Sequence, residues 1–315
     1  MKVLSLFDGI SCGMVALKEA GINVDKYFAC EIEQSAIDIS KSNHPDIIRL
    51  GDINDWEQWD LPKIDIVIGG SPCQGFSRNG NGLNFEDKRS VLFFKYVEVL
   101  QHIQKQNPNV KFLLENVVMK KEWMETIDDF LNVPHKEINS RLLSAQNRPR
   151  VYWSNFDFDI PKDQGENLLK ILEKVDTSGF ILHEGILFDP TISEAERNLV
   201  SNINGEIRIK QATKQGYAVA KNGDGINLAF PTSKTRRGRV IDQKSPTLDC
   251  QCNVCVLVDG VIRHFTRTEL ERLQTLPDGY TSISNDRAAK QAIGNGWNAK
   301  TISHIFSFLP KEDSQ

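Results

Sequence analysis

One cysteine stands where a chain could place a nucleophile. The stretch Gly69-Gly70-Ser71-Pro72-Cys73-Gln74-Gly75-Phe76-Ser77 directly follows a short apolar run, residues 64–68, that reads as a buried strand. Gly and Pro end that strand and leave Cys73 at its tip, a place where thiol nucleophiles are often held by a rigid element and face a crevice. A thiolate so placed can attack an electrophilic carbon and leave again. A free cysteine is as readily a small buried hydrophobe, and this stretch alone leaves both readings open. Asp8, Glu31, Asp52 and Glu115 add weight, because each follows a predicted strand within a few residues, as Cys73 does. In open α/β sheets ligands bind beyond the carboxyl ends of the strands. Five reactive or hydrogen-bonding side chains are therefore expected along one rim. Any one of them alone could instead be a helix cap or a turn residue.

The elements that must position these residues follow from hydrophobic spacing. Strands are predicted over residues 3–7, 27–30, 47–50, 64–68 and 110–114, and helices over 11–20, 34–43 and 91–106. Ser11 is a candidate cap and Gly21 a candidate stop for the first helix. In the third helix Leu92, Tyr96, Val99 and Ile103 share one face. Strand and helix alternate, the pattern of an α/β fold with a doubly wound, mostly parallel sheet. Beyond residue 155 Gly, Asn and Lys rise and apolar runs shorten. The expected organisation is a large domain from residues 1–154 and 233–315, with a second, smaller, loop-rich domain over 155–232. Strand and turn are expected at 245–248 and 254–258, a helix over 268–274 capped by Thr266 or Thr268, and a last helix after Gly294-Asn295-Gly296.

With 38 Lys and Arg against 42 Asp and Glu in 315 residues, the formal net charge is −4, which speaks weakly against a nucleic-acid partner. The distribution speaks for one. Residues 205–240 hold eight Lys or Arg against two acids, enough for a phosphate footprint, although a solvated polar face is the simpler explanation of such a stretch. The N-terminal residues lack the pattern of a signal peptide, and no run of about 20 apolar residues could span a membrane. Six scattered cysteines do not make a disulfide scaffold, so a reduced, cytoplasmic protein is expected. Cys250, Cys252 and Cys255 form C-x-C-x-x-C, with His264 the nearest candidate for a fourth zinc ligand. That segment alternates like a strand, and no metal is expected there.

The motifs Phe7-Asp8-Gly9-Ile10-Ser11-Cys12-Gly13, Ser71-Pro72-Cys73-Gln74, Glu115-Asn116-Val117, Gln146-Asn147-Arg148-Pro149-Arg150, Ser245-Pro246-Thr247-Leu248 and Gly294-Asn295-Gly296 occur in that order. Together they closely resemble the DNA (cytosine-5)-methyltransferase family, of bacterial or phage type. The resemblance covers about the first 155 and the last 80 residues. It implies a sheet of the S-adenosylmethionine-dependent methyltransferase type, S-adenosylmethionine as cofactor and duplex DNA as substrate, with the target cytosine flipped out. It implies further that Cys73 attacks C6 of the cytosine, that Glu115 holds the ring at N3, and that Arg148 and Arg150 contact the flipped base and brace the site. Phe7, Asp8 and Gly9 would line the cofactor, Glu31 would take the ribose hydroxyls and Ile32 would pack on adenine. Asp52 would take the adenine amino group with Ile53 nearby, and Asn295 would complete the pocket. The first turn lacks the G-x-G-x-x-G of a dinucleotide site, which weighs against NAD.

Gln74 and Ser77 open a Gly- and Asn-rich loop, residues 74–89, expected to close over the DNA. Lys214, Lys234, Arg236, Arg237 and Arg239 are the expected DNA contacts within residues 212–240, where phosphate contacts supply affinity and base edges supply sequence choice. Two features stand nearer the animal de novo branch of the family: the Phe7-Asp8-Gly9 start, and Trp297, where many bacterial relatives carry Ser and Val after Gly-Asn. Trp297 fits core packing or cofactor lining equally. Without a long N-terminal regulatory segment, a bacterial or phage enzyme is expected. By analogy it would be a monomer, in a restriction–modification setting with a cognate endonuclease or in phage self-protection. Two other readings remain. A tRNA cytosine-5 methyltransferase would share the chemistry, but the Cys-Phe-Thr of that branch is absent. A silent DNA-binding accessory protein would normally lose the nucleophile or its glutamate, and both are present. The residues neither support nor exclude a modified methyl donor.

Overall fold

The apolar runs of the first third become a parallel sheet. The structure, a computed structural model, describes residues 1–72 and 91–310. Its first compact unit comprises Met1–Asn139, Pro149–Lys162 and Gly296–Gln315. There β1 (Lys2–Leu6), α1 (Cys12–Glu19), β2 (Lys26–Cys30), α2 (Gln34–Asn43), β3 (Ile48–Gly51), β4 (Ile66–Gly69), α3 (Val91–Gln106), β5 (Lys111–Val117), α4 (Lys121–Leu131), β6 (Lys136–Asn139) and β7 (Pro149–Ser154) follow in sequence. The seven strands stand in the order β3-β2-β1-β4-β5-β7-β6. The first five are parallel, and β7 runs antiparallel to both neighbours.

Burial on both faces explains why β1, β2, β4 and β5 read as continuous apolar runs, whereas the edge strand β3 is partly exposed. Leu4 and Leu6 enter one core with Phe93, Tyr96, Leu100 and Ile127 of α3 and α4. Val3, next to Leu4 in the strand, enters the other core with Met14 and Leu17 of α1 and with Ile302, Ile305 and Phe306 of the C-terminal helix Ala299–Phe306. The sheet is thus wound on both sides. Strand order reverses beside β1, whose neighbours are β2 and β4. The carboxyl ends of β1 and β4 flank this switch point, the place where such sheets hold ligands.

Two local expectations change. Ser11 is the N-cap of α1 with a left-handed φ of 59°, but its hydroxyl makes no cap hydrogen bond and goes to Asp8 instead. Glu115 lies inside β5 rather than beyond it, because β7 pairs with β5 as far as Val117, opposite Arg150.

The second unit comprises Ser140–Arg148 and Asp163–Asn295. It contains β8 (Ile181–His183), β9 (Ile186–Phe188), α5 (Glu194–Arg197), β10 (Val200–Ile203), β11 (Glu206–Lys210), β12 (Tyr217–Ala220), β13 (Gly225–Asn227), β14 (Arg239–Ile241), β15 (Cys255–Val258), β16 (Val261–His264), α6 (Arg267–Leu273) and α7 (Asp286–Asn295). These strands form a three-stranded sheet, β10-β11-β12, and a six-stranded one, β14-β13-β15-β16-β9-β8. The expected division at 155 and 233 does not coincide with these units. Residues 233–295 group with 163–232 because β14 and β15 pair with β13, and β16 pairs with β9. Residues 245–248 form no strand beyond a single bridge between Ser245 and Gln146. Thr266 caps α6 in a reciprocal box with Glu269, so Thr268 is not the cap. Among the described residues no helix is long and apolar enough to cross a membrane.

Candidate active site

Glu115 is the best-defined group on the rim. Opposite residues in β5 and β7 are Glu115 with Tyr152 and Val117 with Arg150, so Glu115 and Arg150 are diagonal neighbours on one face of the sheet. Arg150 Nε reaches Glu115 Oε1 at 2.9 Å, and the indole Nε1 of Trp297 donates to Oε2 at 3.0 Å. Both carboxylate oxygens are therefore held by donors, and only about a tenth of the side chain is exposed (11%). Charge-assisted bonds in such a setting are stronger than neutral ones. Gly70, just beyond β4, leaves the room: a Cβ there would lie 2.9 Å from Trp297 Nε1 and 3.0 Å from Glu115 Oε2.

Asn116, on the opposite face, ties β5 to the chain leading toward the cysteine. Its Nδ2 donates to the carbonyl oxygen and the hydroxyl of Ser71, each at 3.2 Å. Ser71 is buried, so the backbone is fixed up to the approach to Pro72. Cys73, Gln74, Ser77 and the loop 74–89 lie outside the described residues.

The tips of β1, β2 and β3 carry Phe7, Asp8, Gly9, Glu31, Ile32 and Asp52 of the expected cofactor residues. Phe7 and Gly9 both take positive φ, 58° and 57°, so the chain turns sharply off β1. The Gly9 amide donates to Glu31 Oε2, and the amides of Ile32 and Glu33 donate to Oε1, all at 2.8 Å. Glu31 is thereby oriented, and a carboxylate with about four lone-pair sites can still accept from hydroxyls. The Ile32 side chain beside it is 69% exposed, an apolar surface open to a ring. Asp52 accepts from the backbone and side chain of Asn54 at 2.9 and 3.0 Å. Acceptor-only carboxylates at the ends of two adjacent parallel strands, with an open isoleucine between them, fit the ribose and base of a nucleoside.

Two of the expected cofactor residues stand differently. Ile53 is buried in the core against the sheet, so its side chain is not a lining surface. Asp8 binds the protein itself, accepting from Ser11 Oγ and from the Tyr27 hydroxyl at 2.7 Å. Loss of water around Asp8 pushes its carboxyl above the ordinary range. Nearby, burial pushes the Cys30 thiol up to about 12, which keeps it protonated and inert.

The two arginines of Gln146–Arg150 part company, since Arg148 belongs to the second unit and Arg150 to the first. Arg148 is buried, donating at 3.0 Å to the carbonyls of Leu248 and Gly294. Gln146 joins the same lattice through Leu273 and Leu248. Lys244, also buried, sets its ammonium among the carbonyls of Arg141, Ser144 and Glu166. These side chains replace missing backbone partners and fix the loop 140–148. Asn295 ends α7 in this unit and accepts from Cys250 Sγ at 3.0 Å.

Of the expected DNA contacts, Lys214, Lys234, Arg236 and Arg239 are exposed and Arg237 is half-buried. Arg236 lies over the ring of Phe230 at 4.6 Å, and Phe230 is itself 54% exposed. Gly238 lets this loop press on β11, since a Cβ there would sit 2.0 Å from the Lys210 carbonyl oxygen. Cys252 and Cys255 are buried with their thiols pushed up, Cys252 to about 12. Trp297 is the residue whose role sequence reasoning missed. Its partner is 182 positions away, and only the glycine at position 70 hinted at something large close by.

A family model described as C-5 cytosine-specific DNA methylase matches residues 1–311. Type II methyltransferase M1.ScrFI of Lactococcus lactis subsp. cremoris is 28% identical over 331 residues, covering 96% of this chain and 76% of the relative. Orphan methyltransferase M.SPRI of Bacillus phage SPR is 31% identical, over 52% of this chain and 39% of the relative. Type II methyltransferase M.NgoBV of Neisseria gonorrhoeae is 36% identical, over 37% of this chain and 28% of the relative. The latter two matches thus span less than half of those relatives. Among solved structures, S. pombe Dnmt2 methyltransferase superposes with a TM-score of 0.62 at 20% identity, covering 98% of both chains. Entamoeba histolytica methyltransferase EhMeth superposes at 0.59 with 14% identity, covering 98% of this chain and 97% of the other. At these identities the likeness is one of fold.

Proposed function

The chain belongs to the C-5 cytosine-specific DNA methylases, and on that premise we propose that it methylates C5 of a cytosine flipped out of duplex DNA through a covalent bond between Cys73 and C6. The observation that carries this reading is Glu115, held at both oxygens by Arg150 and Trp297 beside the backbone that leads to Cys73. Cytosine C5 is a poor nucleophile. Addition of the Cys73 thiolate to C6 moves the C5=C6 electron pair, so that C5 becomes enamine-like. Glu115, at N3, stabilises the charge that develops on the ring, a contribution of about 10²–10⁴-fold for a positioned acid or base. S-adenosylmethionine, when bound, supplies the methyl group as an electrophilic sulfonium. Loss of the C5 proton to a base and departure of the thiolate then restore the C5=C6 bond and free Cys73.

Glu31 would hold the ribose hydroxyls and Asp52 the adenine amino group, with Ile32 against the base and Phe7 and Gly9 shaping the turn beneath. Asp8 would support that turn from behind. Arg150 would act at the carboxylate, and Arg148 would brace the loop that precedes it. The second unit would read the target, with Lys214, Lys234, Arg236, Arg237 and Arg239 on phosphates and Gln74 and Ser77 over the flipped base. A monomer in the cytoplasm, paired with a cognate endonuclease, completes the reading.

The test is transfer of a labelled methyl group to duplex DNA by the wild type and by Cys73→Ser, followed by bisulfite sequencing. Label at cytosine in a fixed context, abolished in the variant, is expected. Label on RNA but not DNA would move the substrate to tRNA-like targets, and label on neither would leave the accessory reading.

A further inference from the structure

We propose that Trp297 is a positioning residue for Glu115: its indole N–H, rather than its ring surface, sets the carboxylate for the reaction. This rests on the role for Glu115 proposed above. Three observations carry it. The indole Nε1 donates to Glu115 Oε2 at 3.0 Å, the oxygen not paired with Arg150. The contact has a built space, because a Cβ on Gly70 would stand within 3.0 Å of both bonded atoms. The donor is also held from behind. Asn298, the next residue, caps the C-terminal helix, its Oδ1 accepting from the Thr301 amide at 3.1 Å, while the Trp297 ring packs against the core beneath α1.

With Arg150 alone, the carboxylate could rotate about its last side-chain bond and still keep one charged contact. A second donor at the other oxygen removes that freedom. Each oxygen retains a lone pair that can carry a proton, and that proton is what an oriented carboxyl shares with a ring nitrogen that is itself an acceptor. An aromatic donor suits this position because its N–H adds no second full charge beside Arg150 and cannot compete for the proton. Neither packing nor cofactor lining requires the N–H to end on a carboxylate oxygen.

The discriminating substitution keeps the shape and deletes the hydrogen. Replacing the indole of Trp297 by benzothiophene, through an expanded genetic code, leaves the bicyclic ring and removes only the donor. The expected result is a fall in kcat of about tenfold, about 1.4 kcal/mol, with KM for S-adenosylmethionine changed less than twofold. Gly70→Ala, which drives the two bonded atoms apart, should reproduce that split. Full activity in the benzothiophene protein, with loss in Trp297→Phe, would overturn the proposal in favour of packing. A rise in KM for the donor at constant kcat would overturn it in favour of cofactor lining. The contact is also read without turnover. In indole-labelled protein, with five tryptophans, the Trp297 N–H resonance, assigned by its absence in Trp297→Phe, should move in Glu115→Gln. An unmoved resonance would sink the contact itself. A moved resonance in a protein that methylates no nucleic acid would keep the contact and discard the catalytic role of Glu115.

Discussion

On the rim of the first unit, three backbone amides hold Glu31, and an arginine and an indole hold Glu115. In the second unit Lys214, Lys234, Arg236 and Arg239 stand in solvent, and Arg236 rests on an exposed phenylalanine and the turn that carries it. The contrast is what the proposed function would require of each region. Bond making tolerates little error in placement, so its groups are oriented during folding and reorganise little later. Phosphates ask for charge within reach, and a long side chain that settles only on contact supplies it. The second unit is not loose throughout. Arg263 and Glu269 form a fully buried pair with two contacts of 2.7 Å beneath its sheet. A rigid frame thus carries a pliable edge.

The contrast can be broken at its rigid end first. Glu115→Gln keeps the size of the group and loses its charge, and should lower kcat for methyl transfer by about 10²–10⁴-fold in steady-state assays. In the frame of the second unit, Arg263→Met leaves Glu269 buried without its counter-charge. Urea unfolding should show a loss of about 3–5 kcal/mol, and a loss below 1 kcal/mol would mean that the pair is dispensable. At the pliable edge, replacing Arg236, Arg237 and Arg239 together by alanine should weaken DNA binding at low salt. The slope of log affinity against log salt should drop by about 3, with little change in thermal stability, and an unchanged slope would remove these residues from the interface.

The smallest effect is a titration in the first unit. Burial, with Lys18 and Arg49 near, pushes His44 down to about 4. The folded state favours its neutral form, so this contribution is full above the unfolded value of about 6.5 and is lost as pH falls from there toward 4. The thermal midpoint should decline over that window, and His44→Gln should flatten the decline relative to the wild type.

Much of the first unit was legible because its central strands are buried on both faces and its helices carry one apolar stripe, both local signals. α2 and α3 appear with the limits that spacing suggests. What failed was non-local. Pairing with β7 carries β5 past Glu115 and moves a supposed strand-end residue into the sheet. Arg148 and Arg150 are chemically identical and two positions apart, yet one is spent on buried carbonyls and the other on a carboxylate. Nothing in the local sequence separates them. The unit boundary at 295 falls inside the Gly294-Asn295-Gly296 motif because pairing between distant strands, rather than composition, gathers residues 233–295. The indole on Glu115 was invisible for the same reason.

The central claim is a covalent bond from Cys73 to cytosine C6, and the most direct measurement traps it. Duplex DNA carrying 5-fluorocytosine in the target context accepts the thiolate and the methyl group but has no proton at C5 to lose, so the thiolate cannot leave. With S-adenosylmethionine present, wild-type protein should form a denaturation-resistant complex with this DNA, and peptide mass analysis should place the adduct on Cys73. No adduct, or an adduct on another residue, from protein that methylates ordinary duplex DNA would contradict the mechanism.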